Sequence, residues 1–397
     1  MAVPRFEPFL GLRYSNPHLS HLEDLVCPPY DVISEPERLD LLSRSPYNVV
    51  RLELPRDGDD PYRAAAVLLD AWRDGDVLRR DHAPNFYGYE MSWKDDAGQH
   101  QATLGVIGAL GLEEPGGGVL PHEQTTPKAR SDRMALLSAT RANLSPIWGL
   151  SLATGLSAAL VPPEHAHEHA RDAEGVVHKV WPIADPGPVE AIRRWVGSAP
   201  VLIADGHHRY ETAMAYLRQR RAEGVAGPGD EAVMALVVEL TEGQLTVQGI
   251  HRLISGLPAG FDVAEALSEA FEIMPTGPVS PNIGARMIEG EALAVVTPAG
   301  SFLARPRDPS AAGADLDSVR LDLALASLPP HELTYQHGWE LAAAEVAAGS
   351  AQAAVLLRPA RIDQIASTGK GGERMPPKTT FFWPKPRTGM VMRELVG

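Results

Sequence analysis

The sequence predicts an α/β protein with mixed, largely antiparallel sheets in two lobes. Apolar, β-rich segments occur mainly in pairs joined by short turns, and these hairpins outnumber convincing strand–helix–strand units. The 35 prolines and 36 glycines imply many defined turns rather than a helical bundle. A length of 397 residues is sufficient for two lobes of one continuous unit, which we place at residues 1–195 and 196–397.

The first lobe combines helices and strands in alternation. Two prolines at residues 28–29 force an extended or turning backbone, and Ser34 with Glu37 has the pattern of a helix N-cap and capping box. Alternating residues at 48–54 predict a short strand. The remaining periodic segments predict a helix at 61–74, an antiparallel strand pair at 86–93 and 103–112, a helix at 134–141, a strand at 147–152 and a helix at 188–195.

The second lobe begins with a strand and a helix around residue 205 and continues with hairpins. Apolar segments at 232–240 and 245–253 predict one hairpin, and segments at 292–297 and 301–304 predict another. The other predicted elements are helices at 261–271, 321–328 and 339–348, a strand at 352–357 and an aromatic strand within 381–385.

Composition limits the classes of partner. A formal net charge of −15 disfavours nucleic-acid and anionic-membrane surfaces, which need clustered lysines and arginines. A single cysteine, Cys27, excludes an intramolecular disulfide and every multi-cysteine metal site. With neither an N-terminal signal pattern nor a long apolar run, we expect a cytoplasmic protein. The oligomeric state stays open, with a homodimer as one option.

The strongest functional pattern is an abrupt change from a buried strand to a helix at residues 201–214. Between the two elements lie an acid, a glycine, two imidazoles and a guanidinium: Asp205, Gly206, His207, His208 and Arg209. Glycine permits positive φ or a close backbone approach, and the free N–H groups at a helix start favour an anion. An ordinary helix cap is the alternative, but so many polar groups between apolar elements favour a phosphate site.

A second polar cluster lies at residues 121–133. Two acids, an imidazole and three cations between apolar elements suit a phosphorylated ligand, although a solvated loop before a helix is the alternative. The residues that we expect at the phosphates are His122, Thr125, Lys128, Arg130 and Arg133. Glu123 is a candidate base or magnesium ligand.

Two further segments add candidate ligands. Lys378 and Thr379 follow a glycine-containing loop and precede the aromatic strand, so we expect them at the phosphates unless the segment is a flexible tail. Tyr30 and Asp31 would line the acceptor pocket, where a carboxylate could hold a substrate ammonium. The histidine-rich residues 164–169 do not have the spacing of a zinc peptidase helix and are expected to form a surface loop or helix.

Six motifs in the same order resemble one family. They are Pro28-Pro-Tyr-Asp31; Tyr47-Asn48 with Arg51-Leu-Glu-Leu54; His122-Glu with Lys128 and Asp132-Arg133; Ala139-Thr-Arg-Ala-Asn143 with Ser145-Pro146; Asp205-Gly-His-His-Arg-Tyr210; and Met375-Pro-Pro-Lys-Thr-Thr380. Together they resemble the bacterial and archaeal domain-of-unknown-function family numbered 1015 over nearly the whole chain. The resemblance implies kinship but carries no assigned chemistry.

A more distant resemblance concerns the turn at residue 205. An Asp-Gly-His-His-Arg turn between strand and helix is similar to the nucleotide-phosphate segment of ParB and sulfiredoxin-like proteins, a superfamily that includes free-serine kinases using ATP or ADP. It implies a ParB/sulfiredoxin-like nucleotide-binding core, and only residues 205–209 carry over. Sulfiredoxin uses a cysteine in this turn, whereas Cys27 is distant in this sequence, so thiol chemistry is not expected.

The leading hypothesis is a magnesium-dependent kinase that transfers a phosphoryl group from ATP or ADP to a small-molecule hydroxyl, with free serine as the first candidate. Residues 206–209 would bind the nucleotide phosphates, and Glu123 or Asp205 would be the base or the magnesium ligand. We expect the clusters near residues 122, 205 and 378 to converge in one cleft. Two alternatives remain: a phosphatase or nucleotide hydrolase using His207 or His208, and a non-catalytic ParB-like nucleotide-sensing module.

Overall fold

The computed structural model describes residues 3–15, 21–95, 98–114, 116–121, 127–163, 168–241, 244–308, 316–371 and 378–395. The chain forms two compact units, Met1–Leu245 with Pro384–Gly397 and Thr246–Trp383. This division differs from the expected lobes at 1–195 and 196–397. Residue 195 lies within the first unit because the strand that follows it pairs with two strands that precede it.

Helices and strands are interleaved along the described residues. The helices are α1 (Glu35–Arg44), α2 (Val50–Glu53), α3 (Pro61–Asp74), α4 (Pro127–Thr140), α5 (Leu156–Ala159), α6 (Pro186–Val196), α7 (His207–Ala222), α8 (Val263–Leu267), α9 (Ile283–Glu289), α10 (Asp317–Leu325), α11 (Trp339–Ala347) and α12 (Ile362–Gly371). The strands are β1 (Phe6–Glu7), β2 (Gly11–Tyr14), β3 (Leu78–Arg80), β4 (Phe86–Lys94), β5 (His100–Gly111), β6 (Val119–Pro121), β7 (Ala142–Asn143), β8 (Ile147–Ser151), β9 (Glu168–Arg171), β10 (Val177–Ile183), β11 (Val201–Asp205), β12 (Ala232–Glu239), β13 (Thr246–Gln248), β14 (Ile250–Ser255), β15 (Phe271–Thr276), β16 (Leu293–Thr297), β17 (Gly300–Pro306), β18 (Glu332–His337), β19 (Ala353–Leu356), β20 (Phe381–Trp383) and β21 (Met392–Glu394).

The first unit is built on a sheet in the order β6-β11-β8-β12-β5-β4-β10-β9, with β1 added beside β5. Pairing is parallel between β6 and β11 and between β8 and β12, and antiparallel elsewhere in this sheet. Strand β12 is buried along its whole length, which agrees with its continuous run of apolar residues. The predicted class, α/β with mixed and largely antiparallel sheets, is confirmed.

A smaller sheet in the first unit carries a separate core. Its order is β3-β2-β21-β7, so the last strand of the chain completes it. Helix α3 packs Ala65, Leu69 and Trp72 into this core, as its amphipathic pattern predicts. Asp60 begins the helix by accepting a hydrogen bond from the Arg63 amide.

The second unit contains a sheet in the order β15-β17-β16-β19-β14-β18 and a separate pair of β13 with β20. The hairpin of β16 and β17 and the aromatic strand β20 lie where the sequence predicts them. No helix among the described residues is both long enough and apolar enough to cross a bilayer.

Several predicted elements are wrong. Residues 48–54 contain helix α2 rather than a strand, because the Asn48 side chain accepts a hydrogen bond from the Val50 amide at 3.0 Å and turns the backbone into a helix. The hairpin predicted from 232–240 and 245–253 does not form, because both edges of β12 are occupied by β5 and β8.

Two further predictions need correction. The helix expected at 261–271 is limited to α8, because the chain enters β15 at Phe271. Of the histidine-rich segment, residues 164–167 lie outside the described residues, and residues 168–169 begin strand β9 rather than a surface loop or helix. Strand β9 pairs with β10, so tertiary pairing decides the conformation there.

Candidate functional site

The turn between β11 and α7 lies at the end of a buried strand of the large sheet. Residues 201–204 are buried, and the pairing of β11 with β8 shifts register between Ile203 and Asp205. Such bulges redirect side chains at strand ends, and Asp205, the last residue of β11, is half-buried. The sequence therefore places a carboxylate where an apolar strand ends and a helix begins.

Gly206 makes the abrupt turn possible. Its φ is +88°, in the left-handed region, and it is the residue preceding α7. A Cβ at this position would lie 3.0 Å from Ile147 Cγ2 and 3.1 Å from Ile147 Cα. Both the backbone conformation and the close approach to β8 thus favour glycine here.

Asp205 lies between two cations. Its Oδ1 accepts a hydrogen bond from Lys385 Nζ at 2.5 Å, and its Oδ2 accepts one from Arg209 at 2.8 Å. Burial alone would raise the pKa of Asp205, but the charges of Lys385 and Arg209 hold it well below its usual range. Burial alone would lower the pKa of Lys385, whereas Asp205 and Asp31 raise it above its usual value. The pair is therefore ionised at neutral pH.

Arg209 connects this pair to the loop before β8. One guanidinium nitrogen binds Asp205, and another donates to Ser145 Oγ at 3.1 Å and to the Pro146 carbonyl at 2.5 Å. The guanidinium fork fits this arrangement because its N–H groups are fixed in one plane. Arg209 is thereby held in a single orientation beside the start of α7.

A second buried cation, Arg133, is connected to Arg209 through Ser145 and Glu53, and these hydrogen-bonded residues form one network with Asp205 and Lys385. Its guanidinium donates to the Glu53 carbonyl at 3.1 Å and contacts Glu53 Oε1 at 3.4 Å, and both side chains are almost fully buried. Ser145 donates to the same Glu53 oxygen at 3.3 Å. Glu53 thus joins Arg133 to Ser145, which is itself bound by Arg209.

The Pro-Pro-Tyr-Asp segment also reaches this network. Residues 30–32 form a short 3-10 helix after the two prolines. The Arg133 guanidinium carbon lies 4.1 Å from the centre of the Tyr30 ring, a cation–π contact, and Asp31 Oδ2 lies 3.9 Å from Lys385 Nζ. Burial raises the pKa of Tyr30 to about 12, so its phenol keeps the proton at neutral pH.

The two imidazoles occupy the first turn of α7. His207 is buried and His208 is half-buried. The first intrahelical hydrogen bond runs from the Tyr210 amide to the Gly206 carbonyl, so the amides of residues 207–209 open the helix, as an anion site requires.

The structure brings together many of the residues predicted from sequence. In the first unit, the predicted residues that lie in one connected network are Tyr30, Asp31, Arg133, Asp205 and Arg209, with Gly206, His207 and His208 in the same turn. His122, Glu123 and Thr125 lie outside the described residues. Lys128 and Arg130 lie in α4, and their side chains are likewise not described.

Lys378 and Thr379 belong to the second unit. The Lys378 carbonyl accepts a hydrogen bond from Arg252 at 3.0 Å, and the Thr379 hydroxyl lies 3.1 Å from that of Ser318. Their convergence with the turn at residue 205 remains a prediction.

Sequence reasoning missed three members of the network: Glu53, Ser145 and Lys385. Each lies in or beside a motif that was noted for kinship rather than for chemistry. The available signal was a carboxylate among core residues: Glu53 is 2% exposed and follows Val50 and Leu52, which are fully buried. A carboxylate in that position has to meet a cation.

The arrangement can hold an anion and position it. Within the network, the cations Arg133, Arg209 and Lys385 are fixed by carboxylates, and helix amides lie beside them. Among the described residues, no group of three histidine, cysteine or acidic side chains is suited to a metal ion. A metal that binds through one carboxylate and a ligand's phosphates would not need such a group.

A family model described as "Protein of unknown function (DUF1015)" matches residues 6–324. Among curated proteins, none matches.

Three of the similar solved structures are a free serine kinase in complex with AMP, a conserved hypothetical protein from Pyrococcus furiosus, and SbnI with a C-terminal truncation from Staphylococcus aureus. The kinase is 18% identical, with 67% of this chain and 83% of that chain covered and a TM-score of 0.35. The Pyrococcus furiosus protein is 16% identical, with 69% and 92% covered and a TM-score of 0.35. SbnI is 13% identical, with 71% and 85% covered and a TM-score of 0.38.

Proposed function

The chain belongs to the DUF1015 family, whose description assigns no function, and we propose from the geometry at Asp205 that it is a magnesium-dependent kinase. It would transfer a phosphoryl group from ATP or ADP to the hydroxyl of a small molecule. The observation that carries the proposal is Asp205 between two oriented cations, Arg209 and Lys385, at the glycine-mediated start of α7. Free serine is the first candidate acceptor, on the resemblance of residues 205–209 to the superfamily that includes free-serine kinases.

The cations supply the electrostatic part of the reaction. Phosphoryl transfer proceeds through a transition state with negative charge spread over the transferring oxygens, and it is catalysed mainly by positioning and charge stabilisation. Arg209 and Lys385 are held in place by Asp205 before any ligand binds. Such preorganisation avoids the cost of ordering long side chains during the reaction.

Asp205 acts in this proposal as the anchor of the cations. Both of its oxygens accept hydrogen bonds, and its pKa lies well below the usual range, so it is a weak proton acceptor. If Asp205 bound magnesium directly, one of its two cation partners, Lys385 or Arg209, would be displaced. We therefore assign the role of base or magnesium ligand to Glu123.

Asp31 is assigned to the acceptor. Its side chain is 34% exposed, and its contact with Lys385 is long, at 3.9 Å. An accessible carboxylate beside a phosphate site can bind the ammonium of a hydroxy amino acid. Tyr30, which remains protonated, can donate a hydrogen bond to the same ligand.

Magnesium completes the charge balance. Among the described residues of the network, the four carboxylates Asp31, Glu53, Asp132 and Asp205 outnumber the three cations Arg133, Arg209 and Lys385, and a polyphosphate adds further negative charge. When bound, magnesium would neutralise part of the charge on the phosphates. It usually keeps several water ligands and binds through one or two carboxylates together with phosphates, which does not require a preformed protein cage.

Phosphorus NMR tests the proposal. The purified full chain is incubated with magnesium, with ATP or ADP in separate tubes, and with free hydroxy amino acids. A new phosphomonoester signal is expected with the unmodified chain and not with Asp205→Asn or Lys385→Met. The matched control is Lys179→Met, which removes a lysine paired with Glu90 at 2.7 Å in the same unit.

Each other outcome supports a different function. Growth of inorganic phosphate alone would favour the hydrolase, with half-buried His208 as a more accessible nucleophile than buried His207. Nucleotide binding without turnover would favour the sensing module. Full phosphotransfer by Asp205→Asn would refute the assignment of the site.

A further inference from the structure

A closed ring of hydrogen bonds, with Tyr89 and His178 fully buried in it, lies beside the segment that carries Lys385. The Arg387 amide donates to the Tyr89 hydroxyl at 3.0 Å, and that hydroxyl lies 3.0 Å from His178 Nδ1. His178 Nε2 lies 3.1 Å from Asp172 Oδ2, which also binds the Arg387 guanidinium at 2.5 Å. We call Tyr89, His178, Asp172 and Arg387 the buried ring.

The direction of each hydrogen bond follows from the Arg387 amide, which can only donate, and from the ionised Asp172 carboxylate, which can only accept. Because the Tyr89 oxygen accepts from the Arg387 N–H, its own proton is available for His178 Nδ1. His178 is then the neutral tautomer with its proton on Nε2, which donates to Asp172. Burial lowers the pKa of His178, in agreement with a neutral ring.

Asp172 is rigidly mounted in the ring. Its Oδ1 accepts the amides of Glu174 and Val176, both at 2.9 Å, in the turn between β9 and β10. Its Oδ2 is therefore left to face His178 and Arg387. The turn fixes one end of the connection to Arg387.

The segment between Lys385 and Arg387 is stiff. Pro384 and Pro386 fix their own φ angles and restrict the residue before each of them to extended backbone. Two positions later, Thr388 exchanges backbone hydrogen bonds with Cys27 at 2.8 and 3.3 Å. Because this backbone is restrained, the position of Arg387 limits the position of Lys385 two residues earlier. The hydrogen bonds with Cys27 also connect it to the segment before Tyr30.

We propose that the buried ring is a positioning group for Lys385: by fixing Arg387 it holds the Lys385 ammonium on Asp205. The catalytic value of that position rests on the proposed function, but the positioning itself does not. The ring is not a substrate site, because the cavity beside it, lined by Cys27, His178 and Arg387 among others, is about 40 Å³ and has room only for water molecules.

Lysine acylation measures this positioning without any turnover. The full chain is treated with limiting acetic anhydride, and acetylation of Lys385 is compared with that of exposed Lys94 by peptide mass spectrometry. Tyr89→Phe removes the hydroxyl that closes the ring. We expect Lys385 to be labelled on the order of fivefold faster in this variant, the effect of losing one buried hydrogen bond.

The matched control is Tyr87→Phe. Tyr87 lies two residues away on β4, is equally buried, and its hydroxyl binds Asp81 and the Gly11 amide outside the buried ring. Its substitution should leave the Lys385 rate unchanged. Asp172→Asn gives an independent comparison and should also accelerate labelling.

Two results would overturn the proposal: an unchanged Lys385 rate in both Tyr89→Phe and Asp172→Asn, or an equal acceleration in Tyr87→Phe. The second result would mean general loosening rather than positioning. The two proposals can fail separately. If only Tyr89→Phe and Asp172→Asn accelerated Lys385 acetylation and the unmodified protein transferred no phosphate, the positioning role would be supported and the kinase proposal refuted.

Discussion

Lys385 Nζ lies 2.5 Å from Asp205 Oδ1, although 180 positions separate the two residues. The chain leaves the first unit after Leu245 and returns at Pro384, and the returning segment supplies the partner of the turn carboxylate. Their side chains are only 11% and 20% exposed. Removing one partner of such a buried ion pair costs folding free energy, because the remaining charge is neither paired nor solvated.

Lys385→Met should destabilise the first unit by about 3–5 kcal/mol and lower phosphotransfer on the order of 10²-fold. Adding Asp205→Asn to the same chain should recover part of the stability, because the buried charge is then removed, but none of the activity. Urea unfolding and the phosphorus assay measure the two effects. Lys179→Met, at a more exposed pair, should cost at most about 1 kcal/mol, and an equal loss in both lysine variants would contradict the assignment.

Gly206→Ala should destabilise the protein by about 1–2 kcal/mol, the cost of left-handed backbone for a residue with a Cβ. Contact with Ile147 adds to this cost, because the new Cβ would lie 3.0 Å from its side chain. The control is Gly187→Ala in α6, where a Cβ meets no atom within 4 Å and φ is not positive. Thermal unfolding of the two variants compares them, and equal midpoints would show that Gly206 is not required by its conformation.

Arg209→Lys should weaken nucleotide binding and lower phosphotransfer on the order of 10²-fold while keeping the positive charge. A lysine cannot bind Asp205, Ser145 and the Pro146 carbonyl from one rigid plane as the guanidinium does. Arg218→Lys on the same helix is the control, since its side chain is 57% exposed and pairs only with Glu114 among the described residues. Calorimetric titration with ADP and magnesium measures the affinities, and unchanged binding by Arg209→Lys would exclude a role in orienting phosphate.

Local sequence patterns predicted helices and strands well where the conformation of a segment depends on its own residues. The helix at 61–74 has the predicted bounds because its capping residue, proline and apolar stripe all agree. The strand predicted at 48–54 was wrong, since the Asn48 side chain accepts the Val50 amide in a local turn that leads into helix α2, which alternation alone would not indicate. The hairpin at 232–253 failed because β12 finds its partners in β5 and β8, which are distant in sequence.

The residues of the candidate site likewise fall into those that local sequence predicts and those that depend on distant partners. Tyr30, Asp31, Arg133 and the turn at 205–209 could be named from residue type and local pattern alone. Glu53, Ser145 and Lys385 could not, because each owes its place to a partner far along the chain. A buried charge predicts that a partner exists but does not indicate which one.

The second unit should lose stability in mild acid through His251. This ring is buried, and its Nδ1 accepts the Leu357 amide at 3.3 Å, a bond that only the neutral ring can accept. Burial, with the charges of His337 and Arg252, lowers the pKa of His251 to about 4. Between pH 6.5 and 4 the unfolded chain binds a proton that the folded chain does not, so stability rises with pH in this window and is lost as pH falls.

The size of this effect should reach about 3 kcal/mol at pH 4 relative to neutral pH. His251→Asn keeps an oxygen that can accept the Leu357 amide but does not titrate, so its stability should vary less with pH across the same window. His331→Asn, at a half-buried histidine of the same unit, should leave the dependence on pH in place. Urea unfolding at intervals from pH 4 to 8 compares the three proteins. Asparagine cannot take up a proton between pH 4 and 8. If His251→Asn lost stability in acid as strongly as the unmodified chain, other groups would have to cause the loss.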